Sequence, residues 1–103
     1  MAHIRITYRG FYDIPRTFVT KWRNKLLLFD GHFDENLDDY PDNYSVYELP
    51  PALEDRLRTE SWENLADLGR FVGRVPVSDV SFDKTRRKTI DDSILRRPGL
   101  EWP

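Results

Sequence analysis

The chain has 103 residues with 16 basic and 18 acidic side chains, which give a formal net charge of −2 at pH 7. This length predicts one domain over residues 1–103 with a core that needs no covalent staples. There is no cysteine, which excludes disulfides, thiol catalysis and thiolate metal sites. A net charge so close to zero predicts no class of partner by itself.

Cysteine usage and hydropathy also bear on location. No apolar stretch approaches the ~20 residues of a membrane span. Residues 1–8 alternate apolar and polar side chains instead of forming the apolar run of a signal peptide. Small extracellular domains often carry disulfides, and this chain has none. We therefore expect a cytoplasmic protein without a membrane partner.

Charge is distributed unevenly along the chain. Residues 1–29 contain six basic and one acidic side chain, residues 30–67 two basic and twelve acidic, and residues 68–103 eight basic and five acidic. Either the acidic middle packs against the two basic ends and the charges cancel, or the fold exposes an acidic face.

The first 30 residues predict antiparallel strands. Residues 4–8 alternate with period two, and Arg9-Gly10 predicts a turn before another extended stretch ends at Pro15. Residues 18–22 and the wholly apolar run 26–29 are separated by two residues. This spacing predicts a tight hairpin whose second strand is covered on both faces.

The remaining elements are another two strands and two helical regions. Residues 44–49 predict a strand, and Pro51 opens a helical region over about 51–68, read as one helix or a broken pair. Residues 71–82 predict a strand, and Pro76 requires it to lie at an edge or to contain a bulge. A short C-terminal helix is predicted with Thr89 as its cap and basic residues in its last turn.

This order of elements predicts an α+β fold. Hairpin-linked strands with one inserted helical region favour a small, strongly curved antiparallel sheet of about five strands. An SH3-like or open-barrel meander is the specific architecture that we expect.

The sequence contains few of the patterns that indicate a catalytic site. His32 lies between Asp30 and Asp34, so a carboxylate could orient its imidazole as in a general base. No nucleophile motif or phosphate-binding loop accompanies it. We therefore expect no catalytic residue and no cofactor, and keep a small hydrolase or transferase centred on His32 as an alternative.

A calcium loop of the EF-hand type is matched only in part. Asp34, Asn36 and Asp38 occupy its first, third and fifth places. However, Asp39 stands where the sharp turn needs glycine, and Ser45 stands where a bidentate glutamate belongs. The sequence therefore predicts no metal site.

A basic run near the C-terminus offers a nucleic-acid alternative. Such a run could contact phosphates, but the chain lacks the net basic balance of most nucleic-acid-binding domains. Nucleic acid is therefore the second choice of partner. The residues concerned are Lys84, Arg86, Arg87, Lys88, Arg96 and Arg97.

Residues 30–47 interleave carboxylates with aromatic side chains, which is the strongest functional signal in the sequence. Aromatic residues anchor protein interfaces, and acids around them steer a basic partner. We expect a small non-enzymatic protein-binding module of the inhibitor, antidote or adaptor type. A homodimer formed through an edge strand or apolar patch is a further alternative. The residues predicted to bind the protein partner are Phe33, Asp34, Asp38, Asp39, Tyr40, Asp42 and Tyr44.

Overall fold

A computed structural model of the chain describes residues 3–11, 14–57, 62, 65–83 and 88–96. These residues form a six-stranded antiparallel sheet, which is not closed, and a few short helical segments. The strands are β1 (His3–Phe11), β2 (Pro15–Trp22), β3 (Lys25–Asp30), β4 (Asn43–Leu49), β5 (Arg70–Pro76) and β6 (Thr89–Asp91). The helical segments are the 3₁₀ helices η1 (Pro51–Arg56), η2 (Val77–Asp79) and η3 (Asp92–Leu95), and the α-helical turn α1 (Leu65–Leu68).

The sheet is a meander with one added strand. Its order is β5-β4-β3-β2-β1-β6, so the first five strands pair with their neighbours in the chain and β6 returns beside β1. Strand β5 lies at an edge, and its pairing with β4 has a register shift between Val46 and Tyr47. This agrees with the expectation that the strand containing Pro76 lies at an edge or a bulge, because proline has no N–H to donate.

The predicted tight hairpin is present between β2 and β3. Trp22 pairs with Lys25, and the two residues of the turn, Arg23 and Asn24, have φ angles of 51° and 64°. Positive φ at both positions is the requirement of a type I′ turn, whose twist matches that of the flanking strands. The two-residue connection therefore fixes the register of the sheet's centre.

The turn predicted at Arg9-Gly10 is wrong. Strand β1 continues to Phe11, and the pairs Arg9 with Thr17 and Phe11 with Pro15 carry the β1–β2 ladder past the glycine. The strand ladder outweighs the local turn preference of a single glycine, which strands tolerate at a modest cost.

Each face of the sheet buries an apolar cluster. On one face is the main core, and on the other the second core, which η1 and α1 cover. The main core comprises Ile6, Phe18, Trp22, Leu27, Phe29, Tyr44, Val46, Val72, Val75, Val80, Ile90, Ile94 and Leu95. The second core comprises Val19, Leu26, Leu28, Leu49, Leu53, Leu57 and Leu65.

The helical predictions need correction in detail. The region 51–68 forms a broken pair, η1 and α1, and residues 58–61, 63 and 64 lie outside the described part. The strand predicted over 71–82 ends at Pro76. Thr89 lies in β6 and does not cap the C-terminal helix; that role falls to Asp91, whose carboxylate accepts a hydrogen bond from the Ser93 N–H. A three-residue strand is too short to produce a recognisable pattern, so β6 was not anticipated.

Replacing Asn24 by glycine should stabilise the protein, because glycine adopts positive φ without the steric cost that a side chain adds there. We expect Asn24→Gly to raise the free energy of unfolding by about 0.5 kcal/mol. The same replacement in an exposed strand position, Asn43→Gly, should lower it by about 0.5–1 kcal/mol. Urea denaturation checks both, and two changes of the same sign would contradict the type I′ assignment.

Tyr44 gives a second test of the core. Its hydroxyl donates a 2.6 Å hydrogen bond to the Pro15 carbonyl inside the main core. Tyr44→Phe leaves that buried oxygen without this donor, so we expect a loss of about 1–3 kcal/mol in the free energy of unfolding. Tyr47→Phe, at a half-buried ring, is the control and should cost less than about 0.5 kcal/mol. Equal losses for the two variants would contradict the account.

Candidate functional site

The segment between β3 and β4, residues 31–42, is here called the acidic loop. Within it, residues 33–42 contain five carboxylates and no basic side chain. It contains most of the residues that the sequence predicts to bind a partner. Its carboxylates are those of Asp34, Glu35, Asp38, Asp39 and Asp42.

Hydrogen bonds hold the acidic loop as a miniature hairpin. Asp34 and Asp39 exchange backbone hydrogen bonds of 2.9 and 3.3 Å across it. The Oδ1 atom of Asp34 also accepts hydrogen bonds from the N–H groups of Asn36, at 2.9 Å, and Leu37, at 3.3 Å. Asp38 completes the turn with a φ of 53°, a conformation that aspartate tolerates better than most residues. The loop therefore has a defined shape despite its composition.

Aromatic contacts join the acidic loop to the sheet. The rings of Phe33 and Tyr40 meet edge to face at 5.4 Å, and the guanidinium carbon of Arg16 lies 4.5 Å from the centre of the Tyr40 ring. At the end of the loop, the Asp42 carbonyl accepts a 2.8 Å hydrogen bond from the Val77 N–H. These contacts connect both halves of the loop to β2 and η2.

The acidic loop exposes apolar side chains as well as carboxylates. Leu37 is 63% exposed and Phe33 is 43% exposed, and both belong to the few large apolar residues that the described surface exposes. Glu35, Asp38, Asp39 and Asp42 of the same loop are also exposed. An apolar centre with a charged rim is the arrangement found in many protein interfaces.

Among the residues predicted to bind a partner, Tyr44 occupies a different place. Its ring is fully buried in the main core, where it meets Phe18 edge to face at 5.2 Å and Phe29 at 5.9 Å. It therefore supports the base of the acidic loop and is not available to a partner. The alternation of Tyr44 with Val46 in β4 is the sequence signal for this position.

His32 has the predicted carboxylate neighbour. Its Nδ1 atom lies 2.6 Å from Oδ1 of Asp30, whose side chain is 16% exposed, while the imidazole is 74% exposed. The linings of the two grooves described below do not include His32. The imidazole is therefore largely exposed to water, and the hydrolase or transferase alternative stays a prediction.

Metal binding and nucleic-acid binding are the other two functions that the sequence raised. Across the described ranges no group of three or more histidine, aspartate or glutamate side chains could hold a metal ion. In the predicted nucleic-acid run, residues 84–87 and 97 lie outside the described part, while Lys88 and Arg96 are exposed. The nucleic-acid alternative stays a prediction.

A second surface, here called the basic groove, was not predicted from the sequence. It lies on the sheet face of the second core, beside η1, and has a volume of about 470 Å³. Arg5, Thr7 and Arg9 of β1 and Lys21 of β2 line it. The period-two pattern of residues 4–8 already places Arg5 and Thr7 on one face, and this was the available signal.

A smaller groove borders the acidic loop. It is about 450 Å³ in volume, and its lining includes Arg16, Asp39, Tyr40 and Ser78. It is shallow, and Arg16 already stacks on Tyr40 within it. We interpret it as the crevice where the acidic loop packs beside η2.

Comparison with known proteins gives no further guidance, since no family model, curated protein or solved structure matches the chain. In the described part of the chain, no helix has both the length and the apolar character needed to cross a membrane.

The shape of the acidic loop can be tested through Asp34. Asp34→Ala removes the carboxylate that accepts the Asn36 and Leu37 N–H groups. We expect hydrogen exchange at these two amides to accelerate about tenfold, because a hydrogen bond to a charged acceptor contributes about 1.5 kcal/mol. NMR exchange rates corrected for sequence check this. Asp38→Asn is the control, and acceleration in both variants alike would contradict the proposed hydrogen bonding.

Proposed function

We propose that the protein is a small non-enzymatic binding module, of the inhibitor, antidote or adaptor type, that engages the basic surface of another protein through its acidic loop. The observation that carries this proposal is the exposure of Leu37 and Phe33 on a loop of defined shape that also contains five carboxylates. The contacting residues are Phe33, Asp34, Leu37, Asp38, Asp39, Tyr40 and Asp42.

The defined shape of the loop supports affinity. A flexible loop loses conformational freedom on binding, at about 0.5–1.5 kcal/mol for each immobilised side chain. The hydrogen bonds to Asp34 and the contact of Arg16 with Tyr40 already restrict the free protein. More of the interaction energy is then available as binding energy.

The carboxylates support both the choice of a basic partner and a fast association. Within the described part of the chain, Glu35, Asp38 and Asp42 make no ion pair, so their charge is presented to solvent. Opposite charges on two proteins steer their encounter and raise the association rate, and this effect weakens with salt. Leu37 and Phe33 would provide the desolvated centre of the contact.

Two further features are proposed, the arrangement of the sheet and the cellular location of the protein. The curved meander with edge strands β5 and β6 is consistent with an open-barrel or SH3-like arrangement of the sheet. The cysteine-free composition supports a cytoplasmic setting.

A pair of charge-matched variants tests the function. Glu35→Gln with Asp38→Asn neutralises two loop carboxylates, and asparagine tolerates the positive φ of residue 38. The control, Asp55→Asn with Asp67→Asn, neutralises two exposed carboxylates on η1 and α1. Affinity capture with wild-type protein and both variants, read by quantitative mass spectrometry, should give basic proteins whose recovery falls at least tenfold with the loop variant only.

Leu37→Ser separates the apolar contribution from charge. It should reduce recovery of the same proteins without changing the net charge or the thermal midpoint, because the side chain is largely exposed. Identical sets of captured proteins for wild type, loop variant and control would contradict the proposed role of the acidic loop.

A further inference from the structure

In the described part of the chain, helical segments cover only part of the second sheet face, and the basic groove lies beside them. Helical segments η1 and α1 pack against β3, β4 and β5, whereas the corresponding face of β1 and β2 carries polar side chains. Thr7 pairs with Val19 and Arg9 with Thr17 across this uncovered strip. The floor of the groove is formed by Val19, Leu26 and Leu57.

Two of the three cations in the groove are positioned by η1. Lys21 forms a 3.2 Å ion pair with Glu54, and the Arg9 guanidinium donates a 3.0 Å hydrogen bond to the Leu57 carbonyl. The Arg9 guanidinium also lies over the Trp62 ring at 5.1 Å. Arg9 and Lys21 are therefore held in place in the free protein.

Arg5 adds a charge that this arrangement leaves uncompensated. Arg5 precedes Ile6 in β1, and Lys21 follows Thr20 in β2. Because Ile6 pairs with Thr20 in this antiparallel ladder, the two cations are neighbours on one face of the sheet. Like charges at such positions destabilise a sheet. Arg5 is exposed and makes no ion pair with any described residue. An anionic group between Arg5 and Lys21 would relieve this repulsion.

The chemistry of the groove favours a peptide with carboxylates around an apolar side chain. The cations of the rim match carboxylates, and the apolar floor matches an aliphatic group. Glu54 in the wall disfavours a continuous phosphate backbone, which would pass close to it. The acidic loop has the required chemistry, because the exposed Leu37 lies between Glu35 and Asp38 in the chain and both carboxylates are exposed as well.

We propose that the basic groove binds the acidic loop of a second copy of this chain. The inference rests on the proposed function, because it takes the acidic loop as a binding surface and names one partner for it. Charge complementarity carries the proposal, with five carboxylates on one surface and three cations with one acid on the other.

The loop of the same chain is not placed to fill the groove. Phe18 of β2 points into the main core, and Arg16, two residues earlier, shares that side of the strand. Tyr40 stacks on Arg16, and Val77, which anchors the end of the loop, packs against the main core. The acidic loop thus lies on the main-core side, whereas the groove lies on the other face.

Complementary surfaces on opposite sides of a molecule give a heterologous, head-to-tail contact. Such a contact can add further copies unless it closes into a ring. The net charge of −2 opposes association only weakly. At about 0.01 M salt the Debye length is about 30 Å, and at 1 M it is about 3 Å, so association should be strong only at low salt.

Complementation between two variants tests this contact by sedimentation. The loop variant, Glu35→Gln with Asp38→Asn, retains the groove; the groove variant, Arg5→Gln with Lys21→Gln, retains the loop. Wild-type protein at about 0.01 M salt should show a mass that rises with concentration, and each variant alone should remain a monomer. An equimolar mixture should form a species of two chains and nothing larger, because only one intact contact is possible.

Matched controls identify the surfaces. Asp55→Asn with Asp67→Asn, and Lys25→Gln with Lys88→Gln, change the net charge by the same amounts elsewhere and should associate as wild type does. Arg5→Lys with Lys21→Arg retains both charges and should retain association. Thermal melts confirm that each variant is folded.

Two outcomes overturn the inference. One is a wild-type protein that stays monomeric at low salt, and the other is a mixture of the two variants that forms no two-chain species. If either occurs while the loop variant still loses captured basic proteins, the proposed function stands and only its assignment to a second copy fails. If the loop variant loses no captured protein, the proposed function itself fails.

Discussion

Strand β3 must be covered on both faces, and the rest of the structure follows from this requirement. Leu27 and Phe29 face the main core, while Leu26 and Leu28 face the second core. The segment after β5 contributes to the first side through Val80, Ile94 and Leu95. On the second side, the cover that the described part of the chain provides comes from η1, α1 and Trp62, and it leaves open a strip of β1 and β2 on which Arg5, Thr7 and Lys21 are exposed. The open strip becomes the basic groove, and the connection after β3 becomes the acidic loop.

The uneven charge of the sequence is resolved in two ways in the fold. Some acids of the middle segment pair with the basic ends, as in Lys21 with Glu54 at 3.2 Å and Arg70 with Glu48 at 3.1 Å. These exposed pairs contribute little to stability, about 0–1 kcal/mol each. Among the described residues, Glu35, Asp38 and Asp42 of the loop form no such pair, and they are exposed. Some carboxylates of the middle segment are therefore neutralised by basic residues, while those of the acidic loop are exposed. The exposed carboxylates belong to the surface for which binding is proposed.

Sequence patterns predicted features that short-range chemistry determines. The two residues between two apolar runs indicated the β2–β3 hairpin, and Pro76 indicated an edge strand. The extension of β1 past Gly10 and the place of Thr89 in β6 depend on pairing between distant residues, which a local pattern does not encode. The basic groove was missed for the same reason. Arg5, Arg9 and Lys21 form a site only when β1 and β2 pair and η1 supplies a wall.

The proposed contact joins the acidic loop of one copy to the basic groove of another, and spin labelling tests this contact most directly. The chain contains no cysteine, so Asn36→Cys gives a single labelling site at the tip of the acidic loop. Labelled protein is mixed at low salt with ¹⁵N-labelled wild type. The account predicts broadening of the Arg5, Thr7 and Lys21 amides, which disappears at high salt. Unbroadened groove amides, or equal broadening over the whole surface, would contradict it.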